Sequence, residues 1–221
     1  CSYLRRLGKH TLFMPQAWGP FTKPGLQPAV TRIIENCDCA YVRDRSSLTA
    51  VEAIVGKNHP HVRSSLDIAW NFPSPDLEIG KQLICSAGLK HPKETKTICI
   101  TPNLRVYERA SGRGAENSYL RILADLVKHL CAKNDRQVIL LGHALVDPTQ
   151  SPLDATDDRT LCRLIMEQLP TGLPVAHIDQ YLSAEQIKSV IGNCHQLISS
   201  RYHALIAAFS QNVPAAAIGW S

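Results

Sequence analysis

Much that would narrow the function of this 221-residue chain is missing from it. No run of five or more like charges occurs and the balance is only +5, so a basic tail of the nucleic-acid type is absent. Aromatic residues make up 6%, too few for a base-stacking platform. No apolar stretch approaches the roughly 20 residues of a membrane helix, and no apolar run follows Arg5, Arg6 and Lys9 as a signal peptide requires. The eight cysteines form no C-x-x-C pair, so they read as buried reduced thiols and no metal site is expected. A phosphate-binding G-x-x-x-x-G-K-[ST] loop and a G-x-S-x-G nucleophile elbow are both lacking. Both ends read as cut: the chain opens on Cys1 rather than Met, and Trp220-Ser221 close an apolar run.

What is present is ordinary globular material, 44% hydrophobic and 19% charged, arranged as strands alternating with helices. Apolar runs predict strands at 10–15, 38–42, 62–69, 97–101, 137–141, 174–178, 196–199 and 214–218. Helical spacing predicts helices at 23–36, from a Ser46 or Ser47 cap to about 55, at 115–133, at 154–169 opened by Asp157 and Asp158, at 183–191, and at 203–210. Ser183 with Gln186 three residues on fits a capping box. This alternation implies α/β architecture with parallel sheets. Prolines and glycines crowd 73–96, where a short helix near 77–87 also fits. The chain is therefore divided into part of one Rossmann-like domain (1–85), a linker (86–96) and part of a second (97–221).

Ligands of open α/β sheets bind beyond the carboxyl ends of the strands, so reactive groups at those ends are the candidates for a site. Leu197-Ile-Ser-Ser-Arg-Tyr-His203 runs from an apolar strand straight into an apolar helix. A helix start attracts anions, Arg201 offers a fork for carboxylate or phosphate, and His203 is a general acid or base. Spaced i, i+2, the two converge on one ligand only around the first turn. The alternative is that Ser200 caps the helix, Arg201 is solvated and His203 is packed. Ile98-Cys-Ile-Thr-Pro-Asn-Leu-Arg105 puts Arg105 at another strand end for an anion and Asn103 for a hydroxyl, or else makes a plain turn. In Met14-Pro-Gln-Ala-Trp-Gly-Pro-Phe21, Gln16 could hydrogen-bond a sugar and Trp18 stack on it; a rigid turn with a core Trp fits equally. Arg43-Asp44 closes the strand at 38–42, with Asp44 read as a local partner of Arg43. His129 and His143 have no ligand partners nearby in sequence.

Together the segments 15–21, 37–47, 65–72, 100–105, 157–162 and 198–220 resemble the polysaccharide pyruvyl transferase family, the Ser-Arg-Tyr-His step into an Ala-rich helix most specifically. The resemblance implies a GT-B-like fold, two Rossmann-like domains facing across a cleft. It implies phosphoenolpyruvate as donor substrate with no cofactor, and a sugar or glycan acceptor, lipid-linked in some cases. The reaction would be ketal formation on a hydroxyl pair during polysaccharide or exopolysaccharide biosynthesis. Arg105 and Arg201 would hold the donor's phosphate and carboxylate, with His203 as the acid/base and Ser200, Asn103, Gln16, Trp18 and Arg43 around the substrates. The place of action would be cytoplasmic, at the membrane face when the acceptor is lipid-linked. A nucleotide-sugar glycosyltransferase of the same architecture is the competing expectation, one that a Glu-x(7)-Glu donor motif in the second domain would favour. A degenerate binding module that keeps the anion pocket is the non-enzymatic one.

Overall fold

The structure, a computed structural model, describes residues 1–73, 75–147, 149 and 157–219. It divides into two compact units, Cys1–Phe72 and Pro73–Ser221. The division falls before the short helix near 80 rather than after residue 85, because that helix packs on the second unit's core.

The first unit holds α1 (Ser2–Arg6), β1 (Leu12–Gln16), α2 (Leu26–Glu35), β2 (Cys39–Val42), α3 (Arg45–Val55) and β3 (Val62–Ser64). The strands form a parallel sheet in the order β1-β2-β3. Val30 and Ile34 of α2, Ala40 and Val42 of β2 and Val51 of α3 form its core. Asp44 caps α3, accepting from Ser47 N at 2.7 Å, so the cap lies before the expected serines. The buried Ser47 hydroxyl instead accepts from the Trp18 amide at 2.9 Å. The strand expected to reach residue 69 stops at Ser64, and Asp67 caps a single 3-10 turn over Ile68–Asn71.

The second unit holds α4 (Leu77–Ser86), β4 (Lys96–Thr101), α5 (Leu104–Arg109), α6 (Ser118–Cys131), β5 (Arg136–Leu141), α7 (Arg159–Met166), β6 (Val175–Ile178), α8 (Ala184–Gly192), β7 (Gln196–Ser199), α9 (Tyr202–Phe209) and β8 (Ala215–Ala217). Its parallel sheet runs β6-β5-β4-β7-β8. Strand residues alternate between faces and both faces are covered. Cys99, Ile139, Leu141 and Leu197 pack towards Ile84 of α4, Ile187, Val190 and Ile191 of α8 and Ala204 of α9. Ile98, Ile100, Val138 and Leu140 pack towards Leu120, Leu123 and Val127 of α6 and Leu161 and Ile165 of α7. Gly80 lets α4 lie directly on α8: its amide donates to Ser189 Oγ at 2.7 Å, and a Cβ there would sit 2.3 Å from the Ser189 carbonyl oxygen. The Ser183–Gln186 capping box forms as expected. α5 was not anticipated, and 154–156 of the expected helix and Trp220 lie outside the described residues. All eight cysteines are unpaired; Cys85 is exposed, whereas Cys37, Cys99, Cys131, Cys162 and Cys194 are buried.

Candidate active site

In the second sheet the chain order reverses between β4 and β7, the switch point where open α/β sheets bind ligands. Thr101 and Ser199 end these strands in register. Both are fully buried, and their hydroxyls hydrogen-bond to each other, so neither polar group is stranded in the core. Ser199 Oγ also accepts from the Arg201 amide at 2.9 Å, turning the chain out of the sheet.

The residues just beyond knit the two loops together. Asn103 Oδ1 caps α5 through the Arg105 amide at 2.9 Å, and its Nδ2 donates to the Ser200 carbonyl at 3.0 Å. The Asn103 amide donates to Tyr119 Oη at 3.1 Å, and that hydroxyl shares a 3.0 Å hydrogen bond with Ser200 Oγ. Burial pushes the Tyr119 phenol upward. Ser200 therefore does not cap α9, which has no side-chain cap and keeps the anion-attracting end of a helix uncovered by one.

Arg201 is not simply solvated. Its Nε donates to Asp158 Oδ2 at 2.9 Å and its Nη2 to Oδ1. Asp158 is fully buried and also accepts from Leu104 N at 3.2 Å and Ala144 N at 2.8 Å. Asp158 stands at the N-cap of α7 as expected, but its side chain makes no cap hydrogen bond there and turns to Arg201 instead. His203, in the first turn of α9, is exposed and stands edge-on to Tyr202 with ring centroids 5.5 Å apart. His143, which the sequence left without a role, follows β5 at the same edge and is half-buried. Burial first, then the positive charge of His203 and Arg201, pushes its pKa down to about 4, so the ring is neutral at pH 7. Arg105 lies on the outside of α5, more than half exposed, and pairs with Glu108 at 2.9 Å.

Gln16, Trp18 and Arg43 belong to the first unit. Gln16 is exposed at the end of β1. Trp18 packs edge-on against Phe13 at 5.5 Å, its indole N–H donates to the Tyr41 carbonyl at 3.1 Å, and its partly buried ring lies against that unit's core. Gly19 follows with φ +91°, and a Cβ would meet Ala50 of α3 at 2.8 Å, so this turn requires glycine. Arg43 Nη1 donates to the buried Asp67 at 2.7 Å and its Nε lies 3.6 Å from Asp44. The expected Arg43–Asp44 contact is thus looser than the one to Asp67.

The family model of polysaccharide pyruvyl transferases matches residues 2–221. The chain belongs to the polysaccharide pyruvyl transferase family. Comparison with curated proteins gives no match. Among solved structures, this pyruvyl transferase family member is similar to the N-terminal domain of Candida albicans trehalose-6-phosphate phosphatase, at 11% identity and TM-score 0.53 over 97% of this chain and 52% of the other. It is also similar to a UDP-forming trehalose-phosphate synthase of Burkholderia xenovorans, at 9% identity and TM-score 0.50 over 94% and 52%. The likeness is one of fold and bears out the α/β, GT-B-like class. The chain spans about half the length of the solved structures it matches. Among the described residues no helix is long and apolar enough to cross a membrane.

Proposed function

We propose that the protein transfers pyruvate from phosphoenolpyruvate to a pair of hydroxyls on a sugar, forming a ketal and releasing phosphate in polysaccharide biosynthesis. The observation that supports this most is the placing of Arg201 and His203 at the β4/β7 switch point, beside the start of α9, in a chain of the pyruvyl transferase family. His203 donates a proton to the methylene carbon of the donor, and positive charge develops at the adjacent carbon. One sugar hydroxyl attacks that carbon and gives its proton back to His203; the C–O bond to phosphate then breaks, and the second hydroxyl attacks the same carbon to close the ketal, its proton leaving on the phosphate as hydrogen phosphate. The guanidinium of Arg201 and the amides of α9 stabilise the departing phosphate, while Arg105 leaves Glu108 to hold the donor's other anionic group. His143 stands neutral at the same edge. Asn103 and Ser200 hold the loops in place around the donor. On the first unit, Gln16 is an exposed hydrogen-bonding group suited to a sugar, and Trp18 and Arg43 keep that strand end in shape. The acceptor is a sugar within a glycan or a lipid-linked intermediate, the enzyme works at the cytoplasmic side, and the reaction needs no cofactor beyond the donor.

The test is to incubate full-length protein with phosphoenolpyruvate and a panel of β-galactosides, β-mannosides and β-glucosides, following phosphate release and product mass together. Phosphate release matched by an acceptor gaining one pyruvyl ketal is the expected result. His203→Ala should lower kcat far more than donor affinity; wild-type turnover by that variant overturns the assignment. Stabilisation by UDP but not by phosphoenolpyruvate would replace the reading with nucleotide-sugar transfer.

A further inference from the structure

We propose that Asp158 is a positioning residue that fixes one edge of the Arg201 guanidinium so that the opposite edge is presented to an anionic substrate. The inference rests on the reading of this edge as the donor site. Arginine carries five N–H groups in a planar fork. Asp158 takes the Nε and one Nη2 hydrogen. Both Nη1 hydrogens and the second Nη2 hydrogen make no side-chain hydrogen bond among the described residues, which leaves the terminal edge of the fork for a bidentate anion.

The neighbouring pair shows what an arginine held for stability alone looks like. Arg159 donates Nε and Nη2 to Asp157, Nη2 also to the Val146 carbonyl and Nη1 to the Asp179 carbonyl, and its side chain is 4% exposed. Every edge of that guanidinium is closed. The Arg201 side chain is 20% exposed while its partner is fully buried, so whatever the pair leaves open belongs to Arg201. Asp158 is itself anchored by Leu104 N from the loop after β4 and Ala144 N from the loop after β5, and Arg201 follows β7. One carboxylate thus references the guanidinium to three strand ends. Because the pair is neutral, the anion is recognised by aimed N–H groups more than by surplus charge, and lysine cannot serve both partners.

The test is a double-mutant cycle on the full-length protein with D158N, R201A and both. D158N alone should lower kcat/KM for phosphoenolpyruvate about a hundredfold, chiefly through KM, as a small misplacement of a binding group does. In the R201A background the same change should cost less than about twofold. An equal loss in both backgrounds, or none in the wild type, overturns the proposal. Inorganic phosphate is the donor-independent probe: the wild type should bind it at least about tenfold more tightly than D158N, and equal binding also overturns it. If the wild type binds phosphate in this way but does not turn over phosphoenolpyruvate, the functional reading falls and the role of Asp158 stands. Should D158N not fold, the wild type decides: its Arg201 Nε–H resonance, assigned by its loss in R201K, should be sharp and protected from exchange without ligand. A rapidly exchanging signal overturns the proposal.

Discussion

Lowering the pH should destabilise the second unit through His143. The ring titrates at 6.5 when unfolded and at about 4 in the folded chain, because burial and the positive charges of His203 and Arg201 disfavour its charged form. A folded pKa below the unfolded one means that the unfolded chain binds the proton first. The contribution to stability is complete above about pH 6.5 and is lost as the pH falls towards about 4. A difference of this size corresponds to about 3 kcal/mol when fully expressed. At pH 5 roughly 2 kcal/mol of it is lost, and solvent beside a half-buried ring reduces that to about 1–2 kcal/mol. The assay is urea unfolding at about pH 7.5 and about pH 5, read from the slowest-exchanging amides of β4 and β5, for wild type and His143→Gln. The wild type should lose about 1–2 kcal/mol more than the variant over that interval. Identical losses would refute the reasoning, since the remaining groups are common to both proteins.

Gly80→Ala should cost about 1–3 kcal/mol or more, measured by denaturant unfolding, because the added Cβ would run into the Ser189 carbonyl and the Asn193 side chain, forcing α4 off α8. Trp18→Phe leaves the Tyr41 carbonyl without its indole donor and should cost about 1 kcal/mol of stability with acceptor KM changed less than about twofold; a large KM change would make Trp18 a sugar contact after all. Arg105→Ala, which removes only an exposed pair with Glu108, should leave the unfolding midpoint almost unchanged, within about 0.5 kcal/mol, while donor KM rises severalfold.

The strands were legible because their signal is local. Ile98, Cys99 and Ile100, or Val138 to Leu141, are apolar without alternation because both sheet faces are buried, and the run alone marks the strand. The Ser183–Gln186 box is a four-residue pattern and needs no tertiary information. Caps that compete were harder: Asp44, Ser46 and Ser47 all suit the start of α3, and Ser47 is diverted to the Trp18 amide by packing that no local pattern encodes. α5 is six residues long and too short to show a period. The placing of α4 was missed because Gly80 in a Pro- and Gly-rich stretch reads as a breaker, whereas here it is a contact that only glycine allows.

By itself the sequence determined the order of strands and helices, the two-unit α/β plan and the strand ends that carry Asn103, Arg201 and His203, because apolar periodicity and helix caps act over a few residues. Tertiary structure alone decided what those side chains do. Arg201 meets Asp158 across 43 positions, in a buried site where a carboxylate must find donors, and that pairing leaves one edge of the guanidinium for a ligand. His143 is held neutral because folding buries much of its ring, beside His203 and Arg201, and Trp18 packs against the core because Tyr41 of β2 takes its indole N–H and Phe13 of β1 meets its ring. Charge state, partner and exposure are properties of the surroundings, and the surroundings are assembled from residues far apart in the chain.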